Sequence, residues 1–164
     1  MHCGACTITL QDVQVQLGLP IEGMLVTGTT DIDYADVCER LLGRTLVGDD
    51  IIGCKLKVEW LERNVPAIDD DNDEESVQRY IRSYILQLIG GCLFADKSNR
   101  FVHLMFLPLL EDFQIARQYS CESACLAYLY RKLCRGSRAG AYEVADASIL
   151  VQLLACDRLP FTAP

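Results

Sequence analysis

Val77-Gln78-Arg79-Tyr80-Ile81-Arg82-Ser83-Tyr84-Ile85-Leu86-Gln87-Leu88-Ile89, residues 77–89, decides the fold class. Within it Val77, Tyr80, Ile81, Tyr84, Ile85, Leu88 and Ile89 recur at the three- and four-residue spacing of one helix face. The spacing predicts a helix of about five turns. Before it runs an acidic segment, Asp69-Asp70-Asp71-Asn72-Asp73-Glu74-Glu75, whose charge suits the positive end of a helix dipole. After it Gly90–Gly91 loosens the helix, and Asp96-Lys97-Ser98-Asn99-Arg100 reads as a polar turn.

Further helices flank this one. Thr9 is an N-cap with Asp12 three residues on, opening a short helix through Val13 and Leu17 that stops at Gly18. A second runs from Tyr34 to Leu42, with Asp33 or Asp36 at its start and Gly43 closing it. Lys55 to Arg63 carries Leu56, Trp60 and Leu61 at helical spacing and is stopped by Val65-Pro66, with Trp60 as a buried anchor. Ser120 caps a helix carrying Ala124, Leu126, Ala127, Tyr130 and Leu133, with Arg131, Lys132 and Arg135 toward its negative end. Asp146 caps a last helix through Ile149, Leu150, Leu153 and Leu154.

The rest is less regular. Pro20, Gly23 and Gly28 place a turn, with a small hairpin, around residues 19–28. Phe101 to Leu110 is apolar almost throughout, so strand and helix stay open there. Together these readings predict a mainly α fold: a single compact multi-helix domain with minor short β or extended segments.

Composition agrees with a folded chain. Of 164 residues, 51% are hydrophobic, which supplies a core, and few are aromatic, which leaves it to Leu, Ile, Val and Ala. The net charge of −8 opposes sequence-independent binding to a polyanion. Nine cysteines, an odd number spread irregularly and preceded by no secretory leader pattern, indicate free thiols in a reducing compartment. The longest apolar stretches fall short of the roughly 20 residues a membrane span needs. Met1 runs directly into Cys3-Gly4-Ala5-Cys6, as in a chain that begins inside a domain.

Several motifs invite chemistry and fall short of it. Cys3 and Cys6 with His2 make half of a four-ligand zinc site, and the other close pair, Cys121 and Cys125, belongs to a separate helix. A calcium loop starting at Asp69 would want glycine at position 74 and glutamate at position 80, where Glu74 and Tyr80 stand. His103 reads as a core or edge histidine, with no acid or nucleophile beside it in the sequence. Arg79 and Arg82 with Arg131, Lys132, Arg135 and Arg138 would form a nucleic-acid patch only if their helices adjoin; solvated helix faces are the preferred reading. No catalytic, cofactor-binding or metal-binding residue is assigned, and no cofactor is expected.

Four strings in order carry a resemblance. They are Cys3 to Val13 followed by Leu17-Gly18-Leu19-Pro20 and Val26-Thr27-Gly28; Tyr80 to Phe94; His103 to Phe113; and Ser123 to Leu133. Across essentially the whole chain the sequence resembles the plant mobile domain, also called aminotransferase-like, which includes maintenance-of-meristems-like proteins and long-form homologues of a serine/threonine phosphatase. It departs from the family pattern at Cys121, where a tryptophan is usual, and at Leu154-Ala155-Cys156-Asp157-Arg158, where a Trp-Ala-Trp-Glu-Arg-like string is usual.

The resemblance implies that residues 1–164 are a partial plant mobile domain, with family segments missing at both ends. It implies a non-enzymatic nuclear interaction module with a role in meristem maintenance and development and in silencing of transposable elements. Its partners would be nuclear proteins, either silencing factors or phosphatase-like family members, and it would engage neither a membrane nor a small-molecule substrate. The alternative is a nucleic-acid-binding module derived from a mobile element. The enzyme labels find no support in the residues. Dinuclear phosphatase chemistry needs clustered Asp, His and Asn, but Val47-Gly48-Asp49-Asp50 stands alone. Lys55, Lys57, Lys97 and Lys132 lie in charged helix or turn contexts with no phosphate loop nearby.

Overall fold

The structure, a computed structural model, describes residues 7–29, 31–46, 48–65, 68, 73–94, 100–137, 151–153 and 155–156. It is mainly α-helical, as expected, with one small sheet among the described residues. The chain divides into two compact units: Thr27–Arg117, and Met1–Val26 together with Gln118–Pro164.

The first unit opens with α2, Tyr34–Leu42. Asp33 caps it by accepting from the backbone N–H groups of Ala35 and Asp36, and Gly43 ends it at φ +69, where a side chain would be strained. Next come β1 (Ile51–Ile52), β2 (Lys55–Lys57) and α3 (Val58–Asn64). The helix expected from Lys55 therefore begins three residues late. Lys55-Leu56-Lys57 alternates polar and apolar, and the strand it forms pairs antiparallel on one side with β1 and on the other with β3, Phe101–His103. Leu56 and Val102, paired across the ladder, turn their side chains into the core. The apolar run left open in the sequence is thus a strand up to His103 and then a 3-10 helix, Leu104–Leu110, which accommodates Pro108.

The long helix, α4, spans Glu74–Leu88 and continues into a single π turn, Ile89–Leu93. Asp73 stands at its N-cap position, and Glu74 and Glu75 fill the first turn. These described residues of the acidic segment serve the helix N-terminus, as expected. The π turn falls where Gly90–Gly91 was expected to loosen the helix. Gly90 is required there, since a β-carbon on it would lie 2.8 Å from the Val102 Cβ. One core joins these elements: Val37, Leu41 and Leu42 of α2, Trp60 and Leu61 of α3, Leu86 of α4, and Leu104, Leu107 and Leu110. Trp60 is the buried anchor that its spacing predicts. A short α5, Phe113–Ala116, capped by Asp112, closes the unit.

In the second unit α1, Leu10–Leu17, packs on α6, Cys121–Gly136. The capping box predicted at Thr9 is complete: its side chain accepts from the Asp12 N–H, while the Asp12 carboxylate accepts from the Thr9 N–H at 2.8 Å. Tyr130 of α6 donates its hydroxyl to the Ile8 carbonyl at 2.7 Å, tying the two ends of the unit together. Ser120 precedes α6 as expected, yet its hydroxyl makes no cap. It donates instead to the Ile21 carbonyl at 2.5 Å, and the Ser123 Oγ lies 2.6 Å away. The hairpin expected around residues 19–28 does not form. Met24 makes a parallel bridge to Tyr119, because its extended backbone finds a partner far along the chain. Asp146 and Leu154 lie outside the described residues; Leu153 falls in a helical stretch, 151–153.

Candidate functional site

The surface of α4 departs from its sequence pattern in an informative way. Seven apolar positions mark one broad face, but the residues the helix buries most deeply are Arg82, Ser83 and Leu86. Ile81, Tyr84 and Leu88, at i, i+3 and i+7, point outward and are 39%, 52% and 42% exposed. Tyr80 stacks on Tyr84 with ring centroids 6.4 Å apart, which fixes the ring at the middle of this stripe.

The helix is rotated because Arg82 fills the inner face. Its Nε donates to the Leu110 carbonyl at 3.0 Å, Nη1 to the Leu41 carbonyl at 3.4 Å, and Nη2 to the Glu111 carbonyl at 3.1 Å and to Gln78 Oε1 at 3.2 Å. The guanidinium carbon also sits 5.2 Å from the centre of the Phe113 ring. One fork of donors thereby satisfies the free carbonyls at the ends of α2 and of the 3-10 helix. Sequence reasoning, which preferred a solvated helix face for Arg82 over a nucleic-acid patch, is corrected here on both readings: the side chain is buried and its donors face carbonyls. Arg79 pairs with Glu75 at 2.5 Å. Of the remaining basic positions, Arg131 and Arg135 are exposed on α6, Lys132 lies over the Tyr128 ring, and Arg138 falls outside the described residues.

A second constellation lies at the β1–β2 turn. Ile52 pairs with Lys55, leaving Gly53–Cys54 as a two-residue hairpin loop, with Gly53 at φ +63. His103 stands at the end of the edge strand β3, opposite Lys55. The fold brings its Nδ1 to 3.3 Å from the Cys54 Sγ, although 49 residues separate the two in the chain. His103 is the half-buried edge histidine the sequence suggests. Its thiol neighbour is what sequence reasoning missed, and no local signal could have shown it, since the ladder register alone pairs these segments. Beside them the Tyr34 hydroxyl is buried without a hydrogen-bond partner; burial first, and neighbouring Cys54 second, push it above its ordinary pKa.

The other described thiols differ. Burial pushes Cys38 and Cys125 up to about 12, and it also raises Cys121. Cys134 is exposed and Cys156 half-buried. His2, Cys3 and Cys6 lie outside the described residues, and among the described residues no three His, Cys, Asp or Glu side chains cluster as a metal site would require. No described helix is long and apolar enough to cross a membrane.

The chain is mainly α and carries an outward apolar stripe on α4. The plant mobile domain profile matches residues 1–164, and the chain belongs to the plant mobile domain family. It is 41% identical over its whole length to the serine/threonine-protein phosphatase 7 long form homolog of Arabidopsis thaliana. It is 36% identical over 149 residues to Protein MAIN-LIKE 2 and 30% identical over 152 residues to Protein MAINTENANCE OF MERISTEMS, both of Arabidopsis thaliana. The alignments cover 100%, 91% and 92% of this chain but span only 12%, 22% and 32% of those three relatives. No solved structure matches.

Proposed function

We propose that this chain is a non-enzymatic protein-interaction module of the nucleus, serving meristem maintenance and development and the silencing of transposable elements. The observation that carries the reading is the Ile81–Tyr84–Leu88 stripe, a row of large apolar side chains held rigidly on α4 and left in water. The relatives support it: one carries maintenance of meristems in its name, and another is named MAIN-LIKE. Silencing factors or phosphatase-like family members are the partners this reading expects.

A nucleic-acid-binding module is the second reading, favoured by Arg131 and Arg135 one turn apart and exposed on α6. The net charge of −8 weighs against it. The test is affinity purification of the tagged chain from nuclear extract, with and without nuclease, beside a variant carrying Ile81→Ser, Tyr84→Ser and Leu88→Ser. Silencing or phosphatase-like proteins that survive nuclease and are lost in the variant would support the interaction reading. Recovery that vanishes with nuclease and is unchanged by the variant would replace it with the second.

A further inference from the structure

Cys54 and His103 are held together by the fold. The Cys54 carbonyl accepts from the Leu104 N–H at 2.9 Å, so the residue is anchored to the end of β3 on its main chain as well as its side chain. Cys54 is half-buried, and Gly53 and Ile52 beside it on the hairpin are exposed. A thiol becomes a nucleophile when a neighbour takes its proton, and an imidazole at hydrogen-bond distance is the usual acceptor. Of the other thiols, Cys38, Cys121 and Cys125 are kept protonated by burial, and exposed Cys134 has no imidazole against it among the described residues.

We propose that Cys54 is a nucleophilic thiol, with His103 as its proton acceptor, that exchanges with low-molecular-weight disulfides of the glutathione class to form a reversible mixed disulfide. His103, in the tautomer protonated on Nε2, accepts the Sγ proton on Nδ1. The thiolate attacks one sulfur of the disulfide; the new S–S bond forms as the old one breaks, and the departing thiolate takes the proton from His103. Cys54 is oxidised, the small disulfide is reduced, and one free thiol is released, with no further reactant. The modification adds a bulky, charged group at the tip of the hairpin, and excess free thiol removes it.

The test is to incubate the whole chain with oxidised glutathione near pH 7 and follow each cysteine by mass spectrometry. Cys54 is expected to react first, on the order of tenfold faster than exposed Cys134, and His103→Gln to bring it down to the Cys134 rate while leaving Cys134 unchanged. A Cys54 rate no greater than that of Cys134, or one unaltered by His103→Gln, would overturn the proposal. If His103→Gln also opens buried Cys38 and Cys125, the variant has unfolded, and the unsubstituted chain decides through its alkylation by iodoacetamide at neutral pH. There Cys54 is expected to react on the order of tenfold faster than exposed Cys134. Equal rates for Cys54 and Cys134 would refute it.

Discussion

Arg82 Nε donates to the Leu110 carbonyl at 3.0 Å, from a side chain that is buried, and the rest of its guanidinium reaches the carbonyls of Leu41 and Glu111. A lysine at this position carries a charge but has no planar fork, so it cannot serve carbonyls in three places at once. Arg82→Lys is therefore expected to cost about 2–4 kcal/mol, the range for removing charged hydrogen bonds and leaving buried acceptors unmet. Urea denaturation measures it, and a midpoint equal to that of the unsubstituted chain would show that Arg82 does not hold the ends of α2 and the 3-10 helix.

The two neighbouring glycines of the π turn should behave oppositely. In an open helix, glycine to alanine stabilises by about 1 kcal/mol. At Gly91 nothing lies within 4 Å of the added carbon, so Gly91→Ala should be neutral or favourable by up to that amount. At Gly90 the new carbon would lie 2.8 Å from Val102 Cβ and 3.3 Å from the Phe101 carbonyl oxygen, both on a strand that cannot yield without breaking the ladder. Overpacking of about 1–3 kcal/mol then outweighs the propensity gain, and thermal melts of the two variants should move in opposite directions.

Leu86 and Leu88, two residues apart on α4, separate the core face from the outward stripe. Leu86 is 0% exposed and Leu88 is 42% exposed. Leu86→Ala should cost about 2–5 kcal/mol, whereas Leu88→Ser should stay within roughly 0.5–1 kcal/mol of the unsubstituted chain. Equal losses measured by chemical denaturation would mean that the stripe is part of the core and not a docking face.

These contrasts also show what periodicity can and cannot tell. The helices at Thr9, Asp33 and Glu74 were readable because their caps, stops and apolar repeats are local, and the capping box at Thr9 formed as its residues dictate. The face of α4 was not readable, because seven apolar residues cover more than half of a helix circumference and the one charged side chain on the inside has its partners in Leu41, Leu110 and Glu111, far off in sequence. Lys55-Leu56-Lys57 was misread as helix for the same reason: three residues carry both periods, and the β3 strand that selects one of them begins more than forty positions later. The Cys54–His103 pair depends on that register and was invisible without it. The family, by contrast, was readable in strings of contiguous residues.

Glu122 gives the fold of the second unit a pH dependence. Its carboxyl sits in the first turn of α6 with 0% exposure, and neither oxygen has a hydrogen-bond partner, so burial raises its pKa above the ordinary 4.5. In the window between the ordinary value and the raised one, the folded chain keeps a proton that the unfolded chain has lost. Stability contributed by this group is complete below pH 4.5 and is lost as pH rises through the folded value, the reverse of a salt-bridged carboxylate. Glu122→Gln keeps the shape and removes the titration, so it should stabilise the chain at neutral pH and flatten the upper part of the stability-versus-pH curve. Denaturation midpoints collected for both proteins at a series of pH values above 4.5 provide the check. If the two curves run parallel, the Glu122 carboxyl is not raised by burial and contributes no pH dependence to folding.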